Sequence, residues 1–548
     1  MSVDLTSTDD TAPDGVRAGS ESAPTRSFLV AHALRANLPI LLLLAGVAIL
    51  CKIFYQPGHD WGDDFALYIR QAQALVNGNV GEVIAVNRYA VAESSAGRFS
   101  PLIYPWGFPL LLAPVVAVWG VSYAKLKIVV IASFLGFLFC LHRLVQRRAG
   151  PVAAALLVTL IGSSVIYVGW TSSVTSDFPY VCFAGIALVW LDHCRIRGLF
   201  EADGRRDLVI LGLLIAFAFS IRRDGLALLA ALIAVHGVTI APRVRRHAPV
   251  RWSRIALPYG AFFAGVIGLQ LVLPSVLFPH FAGTGTQQIK PNLVWYRDIL
   301  AEQIGLKDIG TNRIQLLGSW RLAAIVLGVF LALAVVGLVG RLVTALAEDI
   351  SLIVYLLGAG YIVLTAPFHE GRYTFGITPF LAYFAYQALP TVASVVRRRG
   401  VGAWLSRVAA VVSLGALGGL VVANATDMRI AANYHLRYRD TINGPTTPAA
   451  VQMEQEVLRC TRGDDVVAFF RARAMTMLTD RRSIQTGDIK QVLTRADWYV
   501  MNVGSTYSQP LVDDTEARHL GLRKIWSNTE WVLWLIPGGA ADRRVLAC

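Results

Sequence analysis

Charge is scarce in this chain: Asp, Glu, Lys and Arg make up 16% of its 548 residues, against roughly a quarter in soluble globular domains. A soluble fold of this length needs a more polar surface, so that class is excluded. Cysteine is also sparse, at 6 residues. Cys51, Cys140, Cys182 and Cys194 sit in or beside apolar runs and read as small buried hydrophobes. The set is too scattered for a zinc site or a disulfide framework. Cys460 and Cys548 fall in a polar C-terminal stretch, and their spacing leaves open whether they pair. Residues Met1 to Ser27 lack an apolar core. They match neither a signal peptide nor a folded element, and read as a disordered cytoplasmic tail, residues 1–27.

What the chain has instead is apolar length: 55% of its residues are hydrophobic. Runs of about twenty apolar residues, enough to cross a hydrocarbon core, recur as Leu38–Gln56, Ala124–Arg143, Pro151–Trp170, Asp177–Cys194, Asp207–Ile221 and Asp224–Ala241. They continue as Ile255–Phe278, Trp320–Gly340, Ile350–Pro367, Tyr373–Val392 and Ala403–Ala423. One further run, Tyr104–Gly120, is short and carries Pro105, Pro109 and Pro114. The net charge of +14 fits nucleic-acid binding in principle, but membrane proteins collect Lys and Arg in cytoplasmic loops, and that explanation is preferred. Arginine far outnumbers lysine, which points to a bacterial source.

Charge asymmetry orients the chain. With the N-terminus inside and Tyr104–Gly120 not crossing, Arg143, Arg147, Arg148, Arg195, Arg197, Arg205, Arg206, Arg243, Arg245, Arg246, Arg251, Arg254 and Arg397–Arg399 all fall on the cytoplasmic side. A crossing there would turn every later cluster outward. The expected fold is therefore a polytopic α-helical membrane protein of about eleven spanning helices with an outer-face, proline-broken segment. A transmembrane domain over residues 28–424, with outer loops at 57–122 and 279–319, precedes a small extracytoplasmic α/β domain at 425–548. In that domain Val466–Phe470 and Trp498–Met501 read as strands, Ala474–Leu478 as a short helix and Trp531–Ile536 as an edge strand.

Four short polar motifs fall on the outer side: His59-Asp60-Trp61-Gly62-Asp63-Asp64, Ser176-Asp177-Phe178-Pro179, Arg222-Arg223-Asp224-Gly225 and His369-Glu370-Gly371-Arg372-Tyr373. Arg222, Arg223 and Arg372 lie on the side that insertion disfavours for arginine, and charges kept there usually have a partner or a task. Asp63 or Asp64 would also cap the helix that follows, as would Asp177. Carboxylates facing guanidinium groups at a membrane surface suit a lipid-linked phosphate substrate. A carboxylate can deprotonate an acceptor hydroxyl, while guanidinium groups grip a phosphate bidentately and stabilise it as it leaves. In the 279–319 loop, Gln287, Gln288, Lys290, Asn292, Trp295 and Tyr296 suit either sugar binding or interfacial anchoring, and anchoring is favoured.

The order of these motifs resembles the GT-C superfamily of polyprenyl-phosphate-sugar-dependent glycosyltransferases, which includes aminoarabinose transferases and protein O-mannosyltransferases. The residues that carry the resemblance are Asp63-Asp64 with Tyr68 a turn later, the proline-containing Leu102–Pro109, Asp177-Phe178-Pro179, Arg222-Arg223-Asp224-Gly225, and Arg372-Tyr373 followed by Pro379. They cover the membrane region, and they depart from the family pattern in having Asp-Asp where Asp-Glu is commoner. The resemblance implies an inverting transfer of a sugar from a polyprenyl-phosphate donor to an extracytoplasmic glycan, glycolipid or protein in a bacterial inner membrane. It implies that Asp64, with Asp63 second, is the catalytic base. Asp177, Tyr68, Glu370 and His369 would bind substrate, and Arg222, Arg223 and Arg372 the donor phosphate. It names no metal ligand and leaves a divalent cation open. The competing class is a transporter or lipid-linked-sugar flippase. Transporters favour internal repeats and ionisable groups at the midplane, neither of which this sequence displays.

Overall fold

The computed structural model describes residues 26–95, 101–200, 204–278, 283–306, 320–397, 404–438, 441–504 and 507–538. Residues 1–25, Arg398, Arg399, Cys548 and the flanks of the 279–319 loop lie outside the described residues, and the expectations placed on them go with them. From Leu43 onward the chain forms one compact unit. Before it, the described residues belong to the start of the first helix.

Twenty α-helices are present among the described residues. The first nine are α1 (Arg26–Ile53), α2 (Asp64–Asn77), α3 (Val80–Glu93), α4 (Gly107–Trp119), α5 (Tyr123–Ala149), α6 (Pro151–Gly162), α7 (Val165–Trp170), α8 (Asp177–Ile196) and α9 (Arg205–Ile221). There follow α10 (Leu226–Arg245), α11 (Trp252–Val272), α12 (Ile289–Gln303), α13 (Trp320–Thr344), α14 (Leu346–Thr365), α15 (Thr378–Arg397) and α16 (Trp404–Tyr438). The C-terminal part contributes α17 (Pro448–Cys460), α18 (Ala472–Thr479), α19 (Ile489–Arg495) and α20 (Asp514–His519). Every run expected to span has a helix over most of its length. Seven helices are long and apolar enough to cross a membrane by length and composition, and α13 is the most apolar, at a mean hydropathy of 3.0. The chain is a polytopic helical membrane protein.

Local chemistry explains the boundaries. Arg147 and Arg148 occupy the last turn of α5, where cations suit the helix dipole. Pro151 opens α6, a position where its missing N–H costs nothing. The run 151–170 was expected to be one helix, but it breaks after Gly162 into α6 and α7, with Ser164 extended between them. The proline-rich run forms α4, 13 residues long with Pro114 inside, or about 20 Å of helix. That is short of the roughly 30 Å hydrocarbon core. Close packing relies on small residues: a Cβ added at Gly337 of α13 would lie 1.8 Å from the Phe384 carbonyl of α15.

The C-terminal sheet has five strands, β1 (Val466–Ala468), β2 (Arg482–Ile484), β3 (Trp498–Asn502), β4 (Arg523–Ser527) and β5 (Trp531–Leu535), in the order β2-β1-β3-β5-β4. β1 runs parallel to β2 and β3, and β5 is antiparallel to β3 and β4. The Trp531–Ile536 run was expected at an edge. It is interior instead, and its five strand residues are all buried. β4 forms the edge. This subdomain packs through α18 on α2 and through β2 on α3.

Candidate functional site

The loop leading into α2 is pinned before its carboxylates are reached. His59 is buried, its Nε2 accepts the Val174 amide at 2.9 Å, and its ring stacks on Phe65. Buried Lys127 of α5 donates to the Gln56 and Gly58 carbonyls at 2.8 and 2.6 Å. Asp63 stands at the N-cap of α2, but its side chain makes no capping bond, and neither Ser176 nor Asp177 caps α8 through a side chain. The capping role expected for these acids is therefore not taken up.

The carboxylates face guanidinium groups instead. Arg372 Nη2 donates to Asp64 Oδ2 at 2.7 Å, and Arg372 Nη1 lies 3.5 Å from Asp177 Oδ2. Arg222 donates to Asp177 Oδ1 at 2.7 Å and to Asp224 Oδ2 at 2.9 Å. Four motifs separated by as much as 308 residues thus close into one chain of charge: Asp224, Arg222, Asp177, Arg372, Asp64. The rings of Trp170 and Tyr373 lie against Arg372, and Tyr373 also lies against Arg222. A narrow cavity opens on this row, lined by Asp177, Tyr180, Arg222, Asp224, Tyr355 and Arg372 among others. Gly107 brings α4 against the end of α9, where a Cβ would sit 2.6 Å from the Ile221 amide nitrogen. This close approach sets the position from which Arg222 departs.

The adjacent acids diverge. Asp64 points into the ion-pair row and also accepts a 2.6 Å hydrogen bond from the Tyr104 hydroxyl. Burial alone would push its carboxyl up, but the charge of Arg372 and the bonds from Tyr104 and Arg372 outweigh it and hold the group below the usual range. Asp63 faces the other way, toward Arg473, Arg471 and the Ala474 amide of α18. Burial outweighs those partners and lifts it from 3.8 to about 6. Glu370 is also raised by burial, against the pull of Arg372.

The remaining expected residues are placed unevenly. The Tyr68 hydroxyl is buried and lies 3.0 Å from Ser176 Oγ, beside the row. Arg223 does not join: its guanidinium donates to the Val276 and Phe219 carbonyls and to Ser275 Oγ. His369 packs on Trp295. Asn292 is buried, and its amide donates to the Leu364 and Ala366 carbonyls, a structural bond rather than an open sugar contact. Sequence reasoning missed Tyr104 and Asp224 as site residues, although both lie inside quoted motifs. It also missed Arg473, which no sequence signal marks. A hard dication takes several oxygen ligands. Among the described residues no three His, Cys, Asp or Glu groups converge for one, and the acids of the row are already turned to guanidinium groups, so this donor set does not fit a divalent cation.

No protein-family model matches the sequence, and no curated protein resembles it in sequence. Solved structures do match its fold. ArnT from Cupriavidus metallidurans bound to undecaprenyl phosphate aligns with a TM-score of 0.52 at 12% identity, over 91% of this chain and 98% of that one. The apo form of the same protein aligns at 0.51. The Archaeoglobus fulgidus oligosaccharyltransferase aligns at 0.49 and 10% identity, over 85% of this chain and 69% of that one. The resemblance drawn from motif order therefore holds at the level of fold: this chain shares the membrane architecture of ArnT.

Proposed function

We propose that the protein is an inverting glycosyltransferase that moves a sugar from a polyprenyl-phosphate donor to an acceptor hydroxyl on an extracytoplasmic glycan, glycolipid or protein. The observation that carries this reading is the convergence of Asp64 and Asp177 on Arg222 and Arg372 beside a cavity. The fold shared with ArnT, whose structure holds undecaprenyl phosphate, supports it. In the reaction, Asp64 takes the proton of the acceptor hydroxyl. The acceptor oxygen forms its bond to the anomeric carbon as the bond from that carbon to the phosphate oxygen breaks. Arg372 and Arg222 hold the departing phosphate. That leaving group is stable as an anion, so no acid opposite the base is needed. Asp177 orients the two arginines, Tyr68 supports the row through Ser176, and Asp63, Glu370 and His369 shape the surroundings.

The same reading places the N-terminus in the cytoplasm of a bacterium, and the ion-pair row and the C-terminal α/β domain (425–548) outside the inner membrane. The test is turnover of a panel of polyprenyl-phosphate sugars by the purified protein in detergent, beside an Asp63→Asn/Asp64→Asn variant. Consumption of one donor, lost in the variant, supports the proposal. A folded wild type that neither binds nor consumes any donor in the presence of acceptors contradicts it and favours transport.

A further inference from the structure

Arg473 lies in α18 of the C-terminal subdomain, yet it is buried at 4% exposure against the segment that leads into α4. All three of its nitrogens are engaged. Nε donates to Asn87 Oδ1 at 2.9 Å, Nη2 to the Pro101 carbonyl at 2.7 Å, and Nη1 to the Tyr104 hydroxyl at 3.2 Å. Its guanidinium also lies over the Tyr104 ring, 5.2 Å from the centroid. The Tyr104 hydroxyl in turn donates to Asp64 Oδ1 at 2.6 Å. We infer that Arg473 is a positioning residue that acts through Tyr104 to hold Asp64 in place and ionised, so that the C-terminal subdomain completes the site in the membrane domain.

The inference rests on the reading of Asp64 as the base and extends it to a domain in which no catalytic motif is visible. A tie between two domains needs no charge, and burying a guanidinium is costly unless its donors are all met. Here each nitrogen has an acceptor, and one of the three acceptors is the tyrosine whose hydroxyl donates to Asp64. A hydroxyl that accepts from a cation becomes a stronger donor to an anion, since hydrogen bonds in a chain polarise one another. Arg372 grips Oδ2 and Tyr104 grips Oδ1, so the carboxylate is held at both oxygens while each keeps a lone pair for an incoming proton.

Several charged or titratable groups face Asp64. Arg372, Glu370 and Tyr373 come from residues 370–373, Tyr104 from the segment before α4, Arg473 from α18, and Asp63 and Tyr68 from its own helix. Of these, Arg372, Tyr104 and Arg473 favour its ionised form. Losing Arg473 removes one direct cation and slackens the Tyr104 bond, which shifts the protonation midpoint of Asp64 upward by about one unit.

The experiment follows that midpoint in two ways, in full-length protein in detergent micelles. The acid limb of kcat/KM against pH, which reports the free enzyme, is measured for wild type, Arg473→Ala, Arg473→Lys, Tyr104→Phe and the Arg473→Ala/Tyr104→Phe pair. In parallel, labelling of Asp64 by a hydrophobic carbodiimide, which reacts with the protonated carboxyl, is followed against pH by peptide mass spectrometry. The expected result is an upward shift of about one unit in Arg473→Ala and in Tyr104→Phe. Arg473→Lys, which keeps the direct charge, should shift less, and the pair should shift by less than the sum of the two single changes, because part of the Arg473 effect passes through Tyr104. Unmoved midpoints in folded Arg473→Ala, or in Tyr104→Phe and Arg473→Lys should Arg473→Ala fail to fold, would overturn the inference and leave Arg473 a domain tie. Labelling needs no turnover. A wild type without transferase activity would therefore count against the proposed function alone, while the labelling midpoints still decide whether Arg473 governs Asp64.

Discussion

The end of the helix bundle away from the ion-pair row holds a second set of buried charges, and replacing Arg148 with Ala tests what they do. The Arg148 side chain, 3% exposed, ends α5. It reaches Asp192 of α8 at 2.6 Å, Asp349 of α14 at 2.8 Å and the Glu348 carbonyl at 2.7 Å. Asp192 and Asp349 are 2% and 0% exposed. Without Arg148, Asp349 keeps Arg341 and the Tyr383 hydroxyl, whereas among the described residues Asp192 keeps only Arg195 at 3.8 Å. Breaking a buried pair from one side costs about 3–5 kcal/mol, and the near-isolation of Asp192 puts Arg148→Ala in that range. Arg341→Ala should cost less, about 1–3 kcal/mol, because Asp349 retains Arg148 and the other partner, Glu348, is exposed. Equilibrium unfolding in mixed micelles of rising SDS fraction, followed by tryptophan fluorescence, measures both. Adding Asp192→Asn to Arg148→Ala should recover part of the loss by removing the stranded charge. Equal costs for the two arginines, or no recovery in the double variant, would refute the reasoning.

Three further outcomes concern the site. Arg372→Ala should weaken donor binding roughly 10- to 100-fold, the loss of one charge-assisted bond, with less effect on the acceptor; isothermal titration with each ligand separates the two, and equal losses would contradict a phosphate role. Arg222→Ala should impair donor binding far more than Arg223→Ala, whose guanidinium is spent on Val276, Phe219 and Ser275; the reverse order would show that the row rearranges on binding. The carboxyl of Asp63 is raised from 3.8 to about 6 in the folded protein, so between those values the folded state binds more protons than the unfolded one. This group's contribution to stability therefore rises as pH falls from about 6 toward 4. Asp63→Asn should remove that component from thermal midpoints measured across the window, and an unchanged pH slope would count against the burial of Asp63.

The sequence discloses what is periodic or local. Hydrophobic runs located the helices of the expected spans, apart from the break after Gly162, because an apolar stretch near twenty residues has few alternatives in a bilayer. The four polar motifs were legible because each is contiguous. What stayed hidden was pairing at long range. Arg148 reads as one of three arginines in a solvated loop, and nothing local says that Asp349, 201 residues away, meets it. Arg473 is equally silent, since its partners lie 369 to 386 residues away, in α3 and in the segment before α4. Trp531–Ile536 was read as an edge strand, yet its residues run apolar without alternation, the pattern of a strand buried on both faces, and the structure buries all five residues of β5.

The row at the site contains three carboxylates, Asp224, Asp177 and Asp64, for two guanidinium groups, Arg222 and Arg372. Every arginine an incoming phosphate would seek is therefore already occupied, and entry is an exchange of one anion for another. On the proposed reading the exchange has two consequences. Net affinity for phosphate falls below what two arginines alone would supply, so the spent lipid phosphate can be displaced when the carboxylates return. And as a phosphate draws Arg372 away, Asp64 loses the cation that suppresses its basicity, so the site becomes able to accept a proton at the moment its donor arrives.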